Sequence, residues 1–439
     1  MNPTVERVHA RQILDSRGRP TVEVDVLLTD GTVGRASAPS GASTGRHEAH
    51  ELRDGDPDDY GGHSVRRAVT NVRTDIDRAL RGRPADQAAI DDRLRALDGT
   101  ANLARLGANA VLATSLAVAR AAATAQRVPL YRYVENLLGE APASLPMPMT
   151  NILSGGAHAG RAMDVQDFLV VPIGASSYPD ALAMIGSVRS AAADLLREAG
   201  GSTLLADEGG LSPRFGRVED SLELMLRSIE RADLVPGADA AIAVDVAASQ
   251  LRDGSGYRFT GEERVFSSQD LGQFLGDLAR RYPLISIEDP LDEDDWDGWL
   301  SFTGAMPGVQ VVGDDLFATN RARLDEGIRR GAANAVLIKL NQNGTLSGTL
   351  DVLATARSAG YATVVSARSG ETEDPFIADL AVGSGAGQIK IGSVRNSERL
   401  AKYNQLLRIA EDESLPFAGR SGFAGHAVAS SQPTAPQRT

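Results

Sequence analysis

Seven apolar stretches of this sequence each run into a charged residue. "TLLADEGG" reaches Glu208, "AIAVDVAAS" Asp245, "LISIEDP" Glu288, "VQVVGDD" Asp314, "NAVLIKLNQ" Lys339, "ATVVSARSG" Arg368 and "GQIKIGS" Lys390. A single acid in such a place reads as easily as the cap of a following helix. Seven charges of both signs ask for a shared site. Asp245, Glu288 and Asp314 offer oxygen ligands only, and a chain with no cysteine and six histidines suits a hard cation such as Mg²⁺ better than zinc. Without a cation, three facing carboxylates repel and at least one stays protonated.

Lys339 follows four apolar residues and emerges from a desolvated strand. It reads either as an ion-pair partner of one of the acids or as a base whose pKa is lowered by burial and nearby cations. Arg368, Ser369 and Lys390 form a cationic group suited to phosphate, with the guanidinium able to bind in a bidentate fashion. Two Gly-rich loops accompany them. "PSGASTGRHE" (39–48) is either an ordinary turn or a lid that closes over phosphate or metal and brings Ser40 with it. "LSGGAHAG" (153–160) carries His158, which is as readily structural as catalytic.

The elements that must position these residues follow from periodicity. "PTVEVDVLLTDGTVGRASAP" alternates apolar and polar residues around a turn at Asp30 and Gly31, a hairpin pattern. From about residue 66 to 132 the spacing becomes helical, so the first ~130 residues read as an α+β unit. "GEAPASLPMPMTN" is rich in proline and reads as a linker, with a boundary near residue 140. Beyond it, continuous apolar strands alternate with amphipathic helices. Such strands belong to a parallel sheet buried on both faces, and six or more units in roughly 250 residues favour a closed (β/α) barrel. There, strand C-termini converge on one mouth, which is how residues almost 200 positions apart come to share a site. The resulting division is an α+β domain over 1–140, a barrel over 141–425 and a disordered polar tail over 426–439.

The chain has 439 residues, 42% hydrophobic and 23% charged, as expected of a folded globular protein. Its net charge of −13 repels phosphate backbones and anionic membranes, which argues against nucleic-acid and lipid partners. The N-terminus lacks an apolar signal core, and the Ala-rich 106–126 segment is broken by polar residues, so a cytoplasmic location is expected.

Longer motifs then become recognisable: "ILDSRGRPTVEV", "PSGASTG", "LGANAVL", "DEGG", "SIEDPLDEDDW", "GDDLFATN", "RSGETED" and "SERLAKYNQLLRI". With them the chain resembles the enolase family over nearly its whole length. The resemblance implies a small N-terminal α+β domain, a modified barrel whose early strands are partly antiparallel, two Mg²⁺ ions and a homodimer or larger oligomer. It implies reversible dehydration of 2-phosphoglycerate to phosphoenolpyruvate. By the resemblance Asp245, Glu288 and Asp314 hold the first Mg²⁺ and Ser40 the second. Lys339 removes the proton alpha to the carboxylate, Glu208 assists departure of the hydroxyl, and His158 closes on the phosphate. Gln166, Arg368, Ser369 and Lys390 contact the substrate. A Lys base working beside Mg²⁺ is an established feature of enolase-superfamily sites.

The sequence departs from the family pattern at Ala367 (His in the family), Asp167 (Glu, on the acid-handling side), Gln250 (Glu), Ser154 (Asn) and Ile391 (Thr). Ala367 opens space beside Arg368. Two further readings stay open on that account: a specialised relative making a carboxyphosphono-enolpyruvate in phosphonate antibiotic biosynthesis, and a non-catalytic binding or structural relative.

Overall fold

The computed structural model describes residues 3–42, 45–139, 142–254 and 256–423. The expected tail over 426–439, and Ser43 and Thr44 of the 39–48 loop, lie outside these residues.

Strands β1 (Val5–Leu14), β2 (Pro20–Leu28) and β3 (Val33–Ser37) form an antiparallel meander. The β2–β3 turn uses Gly31 at φ +84°, a left-handed conformation that glycine adopts without strain. Helix Ala108–Gln126 lies across this sheet. It approaches β3 so closely that a Cβ on Gly34 would meet Ala117 O at 2.1 Å and Ala121 N at 2.4 Å. Among the described residues this is the one helix long and apolar enough to cross a membrane, and 83% of its apolar window is buried inside the protein. It is a core helix.

After β4 (Met147–Ser154), β5 (Asp167–Val171) and β6 (Ala241–Asp245), a small sheet intervenes, made of β7 (Arg252–Asp253), β8 (Gly256–Phe259) and β9 (Arg264–Phe266). The chain then supplies β10 (Leu284–Glu288), β11 (Gln310–Gly313), β12 (Ala335–Ile338), β13 (Ala362–Ser366) and β14 (Gly387–Gly392). These close a barrel in the order β10-β11-β12-β13-β14-β4-β5-β6. The β4–β5 and β5–β6 pairings are antiparallel and the rest are parallel. The α/β barrel with partly antiparallel early strands is as expected.

Two readings of individual segments need correction. The proline-rich stretch taken as a linker runs straight into β4, all eight residues of which are buried. Pro148 precedes Thr150, where pairing with β5 begins, so the strand is one-sided at that point and asks for no donor toward β5. "TLLADEGG" contributes no barrel strand. It forms only an isolated bridge at Leu205, with Leu204 76% exposed, and Glu208 sits in the turn that follows. A short apolar run takes strand form only where a neighbouring strand accepts it.

Alternating strand residues, among them Met149, Leu169, Ala243, Val312, Leu337 and Val364, fill the barrel interior. The opposite strand faces join a larger core with the helices and the N-terminal sheet. The loop after β3 docks on the barrel mouth through a reciprocal backbone pair: Ser40 N–H donates to Gly370 O and Gly370 N–H to Ser40 O, both at 2.8 Å.

Candidate active site

Asp245 and Glu288 end β6 and β10. Asp314, Lys339 and Arg368 follow β11, β12 and β13 by one or two residues, and Lys390 lies within β14. Because β5 runs opposite to its neighbours, its N-terminal end reaches the same mouth, with Asp167 paired to Asp245 across the strands. One cavity is lined by His158, Glu208, Asp245, Asp314, Lys339, Arg368, Ser369 and Lys390, with Gln166, Gln250 and Ala367 on its wall. Residues from 158 to 390 are thereby gathered as the strand ends foretold.

On the metal-candidate side, Lys390 Nζ donates to Asp245 Oδ2 at 2.8 Å and Glu288 Oε2 at 2.7 Å. Burial disfavours its charge, but the two carboxylates outweigh this and push its pKa well up. Burial, reinforced by Asp245, raises the Glu288 pKa well above the carboxylate range. Asp314 accepts from Lys339 Nζ and, at 2.9 Å, from Gln342 Nε2. Burial alone would raise the Asp314 pKa, yet Lys339 brings it down. Asp289 underlies this edge, accepting the N–H groups of Asp314 and Asp315 at 2.9 Å each.

Lys339 corrects an expectation. Its burial acts to depress the pKa, but Asp314 dominates and the net shift is upward. In this state the ammonium is an ion-pair partner.

On the opposite side, His158 Nδ1 lies 3.1 Å from Asp167 Oδ2, and its Nε2 lies 3.7 Å from Glu208 Oε1. Burial opposes protonation of the imidazole, but Glu208 and then Asp167 prevail and its pKa rises to about 9. Asn151 ties the two acids together, its Nδ2 donating to Asp167 Oδ1 at 2.7 Å and Glu208 Oε2 at 3.3 Å. Ser154 Oγ adds a donor to Asp167 at 2.7 Å. Gln166 Nε2 donates to Asp245 Oδ2 at 3.1 Å, and Gln250 Nε2 to Gln166 Oε1 at 3.2 Å.

The anion-binding group is arranged differently from the sequence expectation. Lys390 turns to the carboxylates, while Arg368 Nη1 pairs with Glu48 Oε2 of the 39–48 loop at 2.8 Å. Ser369 Oγ accepts from Ala42 N–H at 3.1 Å. Ser40 is 2% exposed and does not line the cavity. Its Oγ donates to Glu51 Oε2 at 3.1 Å and accepts from Arg53 Nη2 at 2.9 Å and Arg17 Nη2 at 3.3 Å. Two guanidinium groups at that oxygen repel a cation, so the geometry gives Ser40 a part in docking the loop and does not fit it as a metal ligand.

The residues do fit a hard cation at the carboxylates. Their donors are all oxygen, and Glu288 Oε1 is buried with no hydrogen-bond partner among the described residues. Side-chain ligand atoms within 4.8 Å of one another occur in two groups among the described residues, His158 with Asp167 and Glu208, and Asp289 with Asp314 and Asp315. Asp245, Glu288 and Asp314 are not such a group; Lys390 bridges the first two and Lys339 pairs with the third.

Glu48, Asn151, Asp289 and Gln342 escaped the sequence reading. Asn151 could have been found from the alternation within "MPMTNILS", had that stretch been taken as a strand. Glu48 carries no local signal, since only the loop's docking brings it to Arg368.

A closed α/β barrel with acids, two lysines and an arginine around its C-terminal mouth is an arrangement suited to an enzyme that acts on an anionic substrate beside an oxygen-lined cation site. Comparison with known proteins narrows the class. The family model for the enolase C-terminal TIM barrel domain matches residues 142–430, and that for the enolase N-terminal domain residues 5–134. The chain is 52% identical over 431 residues to a protein named Enolase from Mycobacterium leprae, covering 97% of this chain and 99% of the relative. It is 53% identical over 426 residues to Enolase from Mycobacteroides abscessus, covering 96% and 98%. The chain belongs to the enolase family.

Proposed function

We infer that this protein is a phosphopyruvate hydratase, a carbon–oxygen lyase that reversibly dehydrates 2-phosphoglycerate to phosphoenolpyruvate. Similarity to proteins named Enolase along almost the entire chain supports this reading. The observation that carries the mechanism is the placement of Lys339, His158 and Glu208 in the wall of one cavity, with Asp167 buried behind His158.

The proton alpha to a carboxylate is far less acidic than any side chain, so its removal needs concentrated positive charge nearby. Mg²⁺ would supply that charge, with Asp245, Glu288 and Asp314 as the residues that would hold the first of two ions. Lys339 Nζ accepts the alpha proton; its pairing with Asp314 keeps it protonated until that carboxylate is engaged elsewhere. The electron pair of the broken C–H bond becomes the new double bond as the C–O bond to the β-hydroxyl breaks. Burial would raise the Glu208 pKa, but His158 and the nearby cations bring it down, so the proton that lets hydroxide leave as water comes from the His158 imidazolium and passes through the Glu208 carboxylate beside it. Arg368 and Ser369 take the phosphate and displace Glu48 from the guanidinium. Gln166 and Lys390 hold the carboxylate end.

A homodimer or larger assembly and a cytoplasmic setting belong to the same reading, the first open to sedimentation analysis. The comparisons lend nothing to the phosphonate or non-catalytic alternatives. Ala367 lines the cavity as a variation within an enolase site.

The test is ultraviolet detection of phosphoenolpyruvate formed from 2-phosphoglycerate with Mg²⁺. Wild-type protein turns over and Lys339→Ala loses about 10²–10⁴-fold in kcat. A folded wild-type protein with no turnover overturns the assignment.

A further inference from the structure

Helix Ser397–Ile409 carries two cations without solvent exposure, Arg399 and Lys402, that no step above uses. Burying such charges costs several kcal/mol each, and apolar side chains of similar size usually hold a fold as well. Their partners show what they do. Arg399 Nη1 donates to Arg368 O at 2.7 Å and Ile391 O at 3.0 Å, and Nη2 donates to Ser369 O at 2.6 Å. Lys402 Nζ pairs with Glu371 Oε2 at 2.9 Å, and Glu371 Oε1 accepts the Arg368 N–H at 3.0 Å.

One guanidinium therefore gathers three backbone carbonyls from two neighbouring strand ends. Arg368 and Ser369 follow β13, and Ile391 adjoins Lys390 on β14. The peptide unit is planar, with C=O and N–H pointing opposite ways. Holding Ser369 O toward Arg399 thus aims the Gly370 N–H outward, where it donates to Ser40 O and docks the 39–48 loop. On the other side, a Cβ on Gly392 would meet Arg399 Cδ at 3.1 Å and Glu208 O at 2.9 Å, so Arg399 also packs close behind the acid-bearing turn.

We propose that Arg399 is a positioning residue that fixes the Arg368–Ser369 segment against Lys390 and so sets the affinity of the site for the substrate's phosphate. The proposal rests on the reading of Arg368 and Ser369 as phosphate contacts. Arg399 touches no substrate. It acts through the carbonyls it holds, and displacement of a positioned group by about 1 Å can cost about 10²-fold.

The experiment compares wild type, Arg368→Gln, Arg399→Met and Arg399→Lys for calorimetric binding of inorganic phosphate and for KM and kcat with 2-phosphoglycerate. R399M is expected to weaken phosphate binding by about 10²-fold and to raise KM more than it lowers kcat. R399K, which keeps the charge without the planar fork, is expected to fall between R399M and wild type, and added guanidinium to restore part of the R399M loss. R399K also keeps the comparison available where R399M does not fold. If R368Q weakens phosphate binding while folded Arg399 variants bind phosphate and substrate within about twofold of wild type, the proposal is overturned and the phosphate reading stands. If R368Q leaves phosphate binding unchanged, the phosphate reading fails and the proposal with it.

Discussion

Lys390 Nζ stands 2.7 Å from Glu288 Oε2, while the other oxygen of that carboxylate is buried without a hydrogen-bond partner among the described residues. A buried carboxylate with one lone-pair set unused is costly unless a further positive group completes it. The ammonium neutralises half of a site whose remaining oxygen faces no donor, which is the arrangement that welcomes a divalent ion.

Glu288→Gln is therefore expected to abolish most of the stabilisation that Mg²⁺ confers on the wild-type protein. At a concentration of about 100 Kd that stabilisation amounts to about 2.7 kcal/mol. Thermal unfolding with and without Mg²⁺ measures it, and an undiminished Mg²⁺ shift in the variant counts against Glu288 as a ligand.

His158 makes stability fall on the alkaline side. Its pKa is about 9 in the folded protein because Glu208 and Asp167 overcome the burial that opposes its charge, against about 6.5 in an unfolded chain. The fold thus favours the imidazolium. Its contribution is fully present below about pH 6.5 and is lost as the pH rises through about 9, at up to about 1.4 kcal/mol per pH unit in between. Urea-unfolding midpoints across that window should decline more steeply for wild type than for His158→Gln; parallel slopes contradict the assignment.

Glu48 occupies the guanidinium that the phosphate reading requires, at 2.8 Å and with only 6% of its side chain exposed. Glu48→Gln should lower thermal stability, since it leaves the buried Arg368 charge less compensated. It should also strengthen binding of inorganic phosphate, because a competing carboxylate is gone. A variant that loses stability and phosphate affinity together shows that Glu48 supports the anion site and does not compete for it.

Gly34 tests the packing that carries the 39–48 loop. Any side chain there runs into the backbone of helix Ala108–Gln126 at 2.1 Å, and overpacking of a fixed core costs typically 1–3 kcal/mol and occasionally more. Gly34→Val is expected to lose about 3 kcal/mol or more in urea unfolding, and a loss below about 1 kcal/mol shows that strand and helix separate easily.

Much of the site was legible because chemistry and periodicity coincide in a barrel. A short, mainly apolar run ending in Asp245, Glu288, Asp314 or Lys339 announces both a buried strand and a charged residue at its exit, and the shared direction of parallel strands brings those exits together. β4 and β5 broke the pattern. Proline obscured the first, and the second presents Asp167 from its N-terminal end because it runs the other way.

The sequence by itself determined the barrel, the charged residue types at its mouth, and the enolase family. Those features reside in local hydrophobic pattern and in motifs that survive without coordinates. Tertiary structure alone decided who pairs with whom. Lys390 and Lys339 pair with the acids expected to hold metal, Glu48 covers Arg368 and Ser40 lies between two arginines. The reason is physical: inside a desolvated mouth each charge must find its opposite within a few ångströms, and only closure of the barrel and docking of the loop determine which opposite is near.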